Sequence, residues 1–147
     1  MKEAKQILEQ SDIIAVVGAS RDRHKPSHWV PKMMQRHGWR IIPVNPHAHE
    51  ILGEHAYARL KDIPEHVDLV DIFRPPEEAA RMVQEAIAIG ARAIWLQLGI
   101  TCPEGRDMCH EAGIDYIEND CMGIERTLAC LVHRKVAPAG AGGHPAA

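Results

Sequence analysis

Aromatic residues are scarce in this chain: three Trp, two Tyr and one Phe in 147 residues. A core built with so few rings has to be aliphatic, and apolar residues make up 46% of the chain, enough to build one. The length is that of one domain. Positive charge is not in excess. Seventeen basic residues face twenty acidic ones, for a net charge of −3. With no basic stripe, no nucleic-acid partner is expected. No apolar run approaches the length of a membrane span, so no membrane partner is expected. Met1-Lys2-Glu3 leads into an amphipathic stretch rather than an apolar one, which predicts no signal peptide.

Disulfide and metal signatures are missing too. The four cysteines, at 102, 109, 121 and 130, fit no zinc spacing and read as reduced thiols in a cytoplasmic protein. Ten histidines are present, and the tightest pairs are His47-Ala48-His49 and His24 with His28. Neither pair has a carboxylate or cysteine at ligand spacing, so no metal site is expected.

Three motifs that would assign chemistry are also absent. A dinucleotide fingerprint needs three spaced glycines and an acid at the end of the second strand. Here Ser20 and Arg23 stand where the later glycines would be, and the second strand ends in Asn45-Pro46. A phosphate loop of the Gly-Lys-Ser/Thr type is lacking, as is the Gly-x-Ser-x-Gly turn of a hydrolase. No carboxylate pair or triad emerges. The residues favour a binding module over an enzyme.

What is present is a strand that runs straight into a glycine. Ile13-Ile14-Ala15-Val16-Val17 reads as a buried parallel strand and leads into Gly18-Ala19-Ser20, with Lys25-Pro26-Ser27 following. Gly18 allows a sharp turn and close approach of backbone N–H groups to a ligand. The helix after Ser27 directs its positive end at that turn. Gly18, Ser20, Lys25 and Ser27 thus form a candidate phosphate cradle, with Arg21, Arg23 and Lys32 in reach of a further phosphate. The competing reading is a plain strand–helix turn with a solvated lysine.

The remaining elements alternate. A short helix over 2–10 precedes the first strand, and a helix over about 28–37 follows the cradle. Pro31 places the start of that helix nearby, because proline suits a first turn. Further strands are predicted at 40–44, 69–73, 93–97 and 115–118, with Pro43 marking the second as short or near an edge. Residues 47–64 read as loop with a short helix near 58–61. Helices open at Arg74-Pro75-Pro76 and after Pro103, and a last one covers about 124–134. The Ala/Gly/Pro tail from Ala137 is expected to be disordered. This order predicts a single α/β domain with a doubly wound, five-stranded parallel sheet. Ligands of such sheets bind at the carboxyl ends of the strands, which gathers Gly18–Ser27, Asn45–Pro46, Phe73–Pro75 and Gln97–Gly99 at one edge. Asp71, inside its strand, reads as a buried, hydrogen-bonded acid. Trp29 and Trp95 read as core or wall residues. Cys121, beside a helix start, is either an inert buried thiol or one able to form a mixed disulfide with a thiol ligand.

Five segments carry a resemblance in their order along the chain. They are Val16-Val17-Gly18-Ala19-Ser20, Lys25-Pro26-Ser27, Pro43-Val44-Asn45-Pro46, Asp71-Ile72-Phe73-Arg74-Pro75 and Trp95-Leu96-Gln97-Leu98-Gly99. Asp120-Cys121, with Glu125 a turn later, extends the pattern. Together they resemble the small stand-alone CoA-binding proteins, related to the CoA-binding domain of succinyl-CoA synthetase. The match runs from about residue 8 to 134. It implies a Rossmann-like domain over 1–136 with CoA or acyl-CoA lying across the strand ends. By position, Gly18, Ala19 and Ser20 would pack on the pyrophosphate, and Lys25, Pro26 and Ser27 would flank the phosphates. Asn45 and Pro46 would border the adenosine. Phe73, Arg74 and Pro75 would line the pantetheine or adenine side, and Gln97, Leu98 and Gly99 the far wall. The synthetase's phosphorylated histidine loop has no counterpart, so ligase chemistry does not carry over. Two alternatives remain open: an enzyme acting on a nucleotide or acyl thioester, and an NAD-type sensor. A protein partner is also left open.

Overall fold

Parallel strands need long crossovers, and this chain supplies them as helices. The computed structural model describes residues 2–133. The expected disordered tail from Ala137 lies outside the described residues. Helix α1 (Ala4–Gln10) precedes strand β1 (Ile13–Val17), then come α2 (Pro26–Arg36) and β2 (Arg40–Val44). A small hairpin follows, β3 (Glu50–Ile51) and β4 (Glu54–His55), and then a 3₁₀ turn at Leu60–Asp62. Strands β5 (Leu69–Ile72), β6 (Ala93–Leu96) and β7 (Asp115–Ile117) alternate with α3 (Pro76–Ala88) and α4 (Pro103–Ala112). Helix α5 (Met122–Leu128) closes the described fold.

Five strands form one parallel sheet in the order β2-β1-β5-β6-β7. The architecture is the doubly wound, Rossmann-like α/β domain that the sequence predicts. Alternation along each strand feeds two cores. Ile14, Val16, Leu69 and Trp95 point to the face covered by α1, α2 and α5 through Leu8, Val30, Met34 and Met122. Ala15, Val17, Val70, Ile72, Ile94 and Leu96 point to the face covered by α3 and α4 through Ala79, Val83, Ala86 and Cys109. The chain leaves β1 toward β2 on one side and returns to β5 on the other. That reversal opens a crevice at the carboxyl ends of β1 and β5.

Three expectations are corrected. Helix α2 starts at Pro26, not near residue 28, and Pro31 lies in its second turn. The ring nitrogen of Pro31 cannot donate to the Ser27 carbonyl one turn back. The amide of Ser20 donates to that carbonyl instead, at 3.2 Å, and ties the glycine turn to the helix. Second, residues 47–64 hold the β3–β4 hairpin. Its turn places Leu52 and Gly53 at φ of 57° and 76°. Third, α5 begins at Met122 and ends at Leu128, short of residue 134. Cys130 takes a left-handed φ of 53°, and Arg126 donates to the Leu131 carbonyl, so the chain leaves the helix there.

Pro43 does sit in an edge strand. Beyond it the amide of Tyr57 donates to the Pro43 carbonyl at 3.0 Å, and Asn45 donates back to Tyr57 at 2.9 Å. This bridge carries Ala58–Lys61 over the crevice.

Candidate functional site

The crevice is a cleft of about 880 Å³ at the carboxyl ends of β1, β2 and β5. Its floor is the glycine turn. Gly18 has a φ of +85°, and a Cβ there would lie 2.5 Å from the Phe73 carbonyl oxygen and 3.0 Å from Cδ of Arg74. Only glycine lets β1 end so close to the chain leaving β5. The amides of Ala19 and Ser27 donate to no acceptor among the described residues. Both are therefore available to an anion. The Ser20 hydroxyl accepts from the amide of Asp22 at 3.0 Å, and its own proton stays free to donate. Lys25 is the N-cap residue of α2, so its ammonium and the helix's positive end share one side of the cleft.

Asn45 has a different task from the one its position suggests. Its side-chain nitrogen donates to the Ala19 carbonyl at 2.9 Å and its oxygen accepts from the amide of His47 at 2.7 Å. The residue locks the β1 and β2 loops together and shapes the cleft through them.

The cleft gathers nine of the predicted site residues: Gly18, Ala19, Ser20, Lys25, Ser27, Asn45, Pro46, Phe73 and Arg74. Pro26 and Pro75 do not line it; they are the first residue of α2 and the N-cap of α3. Gln97, Leu98 and Gly99 are not brought in. Gln97 is buried, donating to Asp71 at 2.6 Å and accepting from the amide of Met122 at 3.3 Å. Leu98 is exposed, and the amide of Gly99 is held by the Asn119 side chain. The β6 loop therefore braces β7 and α5.

The structure adds cleft residues that the sequence reading missed. Arg59 and Lys61 arrive on the segment bridged to β2, and α3 contributes Glu78, Arg81, Met82 and Glu85. Those four share one helical face, at spacings of three and four. Five cations and two carboxylates line the cleft, so it is positive although the chain as a whole is negative. An elongated ligand carrying several negative charges fits this lining.

Two acids with raised pKa values, buried Asp71 and half-buried Asp120, lie outside the cleft lining. Asp71 is 1% exposed, and burial pushes its carboxyl up to about 8 against the hydrogen bond from Gln97. This is the buried, hydrogen-bonded acid that the sequence suggests. Asp120 is pushed up to about 6, first by burial and then by the Glu125 carboxylate. Its backbone carbonyl accepts from the indole of buried Trp95 at 2.8 Å. Trp29 is 40% exposed and forms no part of the core. Cys121, the N-cap residue of α5, is buried. Among the described residues, no three His, Cys, Asp or Glu side chains come together to hold a metal ion, and no helix is long and apolar enough to cross a membrane.

A doubly wound sheet with an anion-receptive cleft at its reversal point is the mark of a Rossmann-like ligand-binding domain. Residues 12–127 match the model of the CoA binding domain, and the chain belongs to that family. It is 38% identical over 126 residues to YneT of Bacillus subtilis, covering 86% of this chain and 93% of that one. It is 32% identical over 129 residues to the alpha subunit of acetate–CoA ligase [ADP-forming] II of Pyrococcus furiosus, of which it spans 28%. Among solved structures it is similar to cell-free ID.343 from Thermus thermophilus, with a TM-score of 0.81 and 36% identity, covering 86% of this chain and 98% of the other. A hypothetical protein from Pyrococcus horikoshii gives a TM-score of 0.84 at 33% identity, covering 87% and 90%.

Proposed function

We propose that this protein binds CoA, free or acylated, in the cleft at the ends of β1 and β5, and performs no chemistry on it by itself. The observation that carries the reading is the cradle. Two free amides, the Ser20 hydroxyl and Lys25 converge beside a glycine turn in a chain of the CoA-binding family. The pyrophosphate lies over Gly18–Ser20 against the α2 N-terminus. The adenosine runs past Asn45 and Pro46, and the pantetheine runs past Phe73 and the stem of Arg74, whose guanidinium reaches the pyrophosphate. Arg59 and Lys61 stand at the outer rim, where a further phosphate meets them. The far-wall role of Gln97, Leu98 and Gly99 is not part of this reading, because Gln97 is buried against Asp71. A mixed disulfide at buried Cys121 is left out for the same kind of reason. A cytoplasmic setting, where CoA is found and the cysteines stay reduced, belongs to the reading.

The ligase relative is named for an acetate–CoA reaction, but this chain spans only 28% of it. The binding-only reading takes the binding and leaves the ligation. Against NAD stands the missing acid after β2, where Asn45 spends its side chain on the neighbouring loops. Calorimetry on the purified protein with CoA, acetyl-CoA, NAD and ATP tests the proposal. Saturable heat with CoA and acetyl-CoA, and none with NAD, is expected. Equal heats for CoA and NAD overturn it.

A further inference from the structure

Arg74 does not face the cleft alone. Its guanidinium donates to a Glu78 carboxylate oxygen at 2.7 Å. The two are four residues apart, yet they are not a pair along one helix. Arg74 follows β5, and α3 begins only at Pro76. The contact joins the cleft loop to the first turn of the helix. Cδ of Arg74 also lies 3.0 Å from where a Cβ on Gly18 would be, so this arginine lies against the floor of the cradle. The carboxylate on it is thus an anion seated at the margin of the place where a ligand phosphate has to sit. The other Glu78 oxygen is 3.9 Å from Arg81, which in turn is 3.8 Å from Glu85. When Arg74 leaves, Arg81 still compensates Glu78, so no bare carboxylate is left in the cleft.

From this geometry we propose that Glu78 is an internal competitor for the ligand's phosphate. It holds Arg74 in the empty cleft and yields it when a pyrophosphate group enters. Glu78 thereby sets the affinity, acting through Arg74 as a positioning residue. The inference rests on the phosphate cradle of the proposed function and names a determinant of its strength. Both side chains are partly exposed, at 42% and 33%, so the pair is screened and weak enough to exchange partners.

The test is a calorimetric cycle on wild type, Glu78→Gln, Arg74→Ala and the double variant. The probes are CoA and, separately, inorganic pyrophosphate. Glu78→Gln is expected to tighten binding of both by roughly two- to fivefold, the scale of a partly exposed ion pair. In the Arg74→Ala background the same substitution is expected to change nothing, because there is no arginine to release. Equal tightening in both backgrounds makes Glu78 a mere source of repulsion and overturns the proposal. Unchanged affinity in Glu78→Gln overturns it as well, and so does a protein that binds neither CoA nor pyrophosphate. Pyrophosphate binding that follows the cycle while CoA fails to bind upholds the competitor and discards the CoA reading. The two failures are therefore separable.

Discussion

Replacing Gly18 with alanine separates a close approach of two strand ends from ordinary backbone freedom. Two costs act at this position. The φ of +85° is a left-handed conformation, which costs an L-residue about 1–2 kcal/mol. The added Cβ meets the Phe73 carbonyl oxygen at 2.5 Å, a distance that forces something to move. Neither side yields easily. The Gly18 amide is bonded to the Val44 carbonyl at 3.0 Å, and the Phe73 amide to the Val17 carbonyl at 2.9 Å. Such overpacking costs about 1–3 kcal/mol, which brings the total to about 2–5 kcal/mol. For a domain of this size, at about 4 °C per kcal/mol, that lowers Tm by about 8–20 °C. Gly90 is the control. Its φ is +81° and a Cβ there meets nothing within 4 Å, so Gly90→Ala pays only the backbone term. Urea unfolding and thermal melts of both variants read the difference. Gly18→Ala is expected to lose at least about 1 kcal/mol more than Gly90→Ala, and to lose CoA binding as the cradle opens. Equal losses in the two variants refute the argument that β1 and the β5 loop meet at Gly18.

Other outcomes follow from single groups. Lys25→Ala should weaken CoA binding by about 1–2 kcal/mol, with the loss shrinking as salt is added, and an unchanged calorimetric affinity makes this lysine a solvated bystander. Asp71 gives a pH dependence. Its folded value of about 8 lies above the ordinary 3.8, so the folded chain keeps a proton that the unfolded chain releases. Its contribution to stability is therefore present at low pH and declines as pH rises between those two values, levelling off above the folded one. Asp71→Asn does not titrate, so its Tm relative to wild type should rise between about pH 5 and about pH 8.5; a difference that stays constant means that Asp71 is not held protonated.

The sheet was legible because each strand is a short aliphatic run bounded by glycine, proline or a helix pattern. Pro43 marked an edge because a strand with two neighbours needs that amide. The shape of the candidate cradle was legible in Gly18 and Lys25 for a related reason: a turn with a positive φ and a cation at a helix start are local facts. The hairpin at β3–β4 was hidden because its turn carries Leu52 at a φ of 57°, a conformation that a branched aliphatic residue does not announce. Helix α2 started early because Pro31's missing donor is made good by a tertiary contact, the amide of Ser20 on the Ser27 carbonyl. Arg59, Lys61 and the Glu78–Arg81–Glu85 face reach the cleft only through the folded path, over the Tyr57 bridge and along α3. Gln97 fell out of the cleft because its partner, Asp71, lies on the adjacent strand and draws the amide inward.

A crystal structure of the protein grown with CoA tests the central claim most directly. The account predicts the pyrophosphate over Gly18–Ser20, within hydrogen-bond distance of the Ala19 and Ser27 amides, with Lys25 and Arg74 turned toward it. CoA seated elsewhere on the molecule, or a cleft that stays empty at saturating CoA, contradicts it.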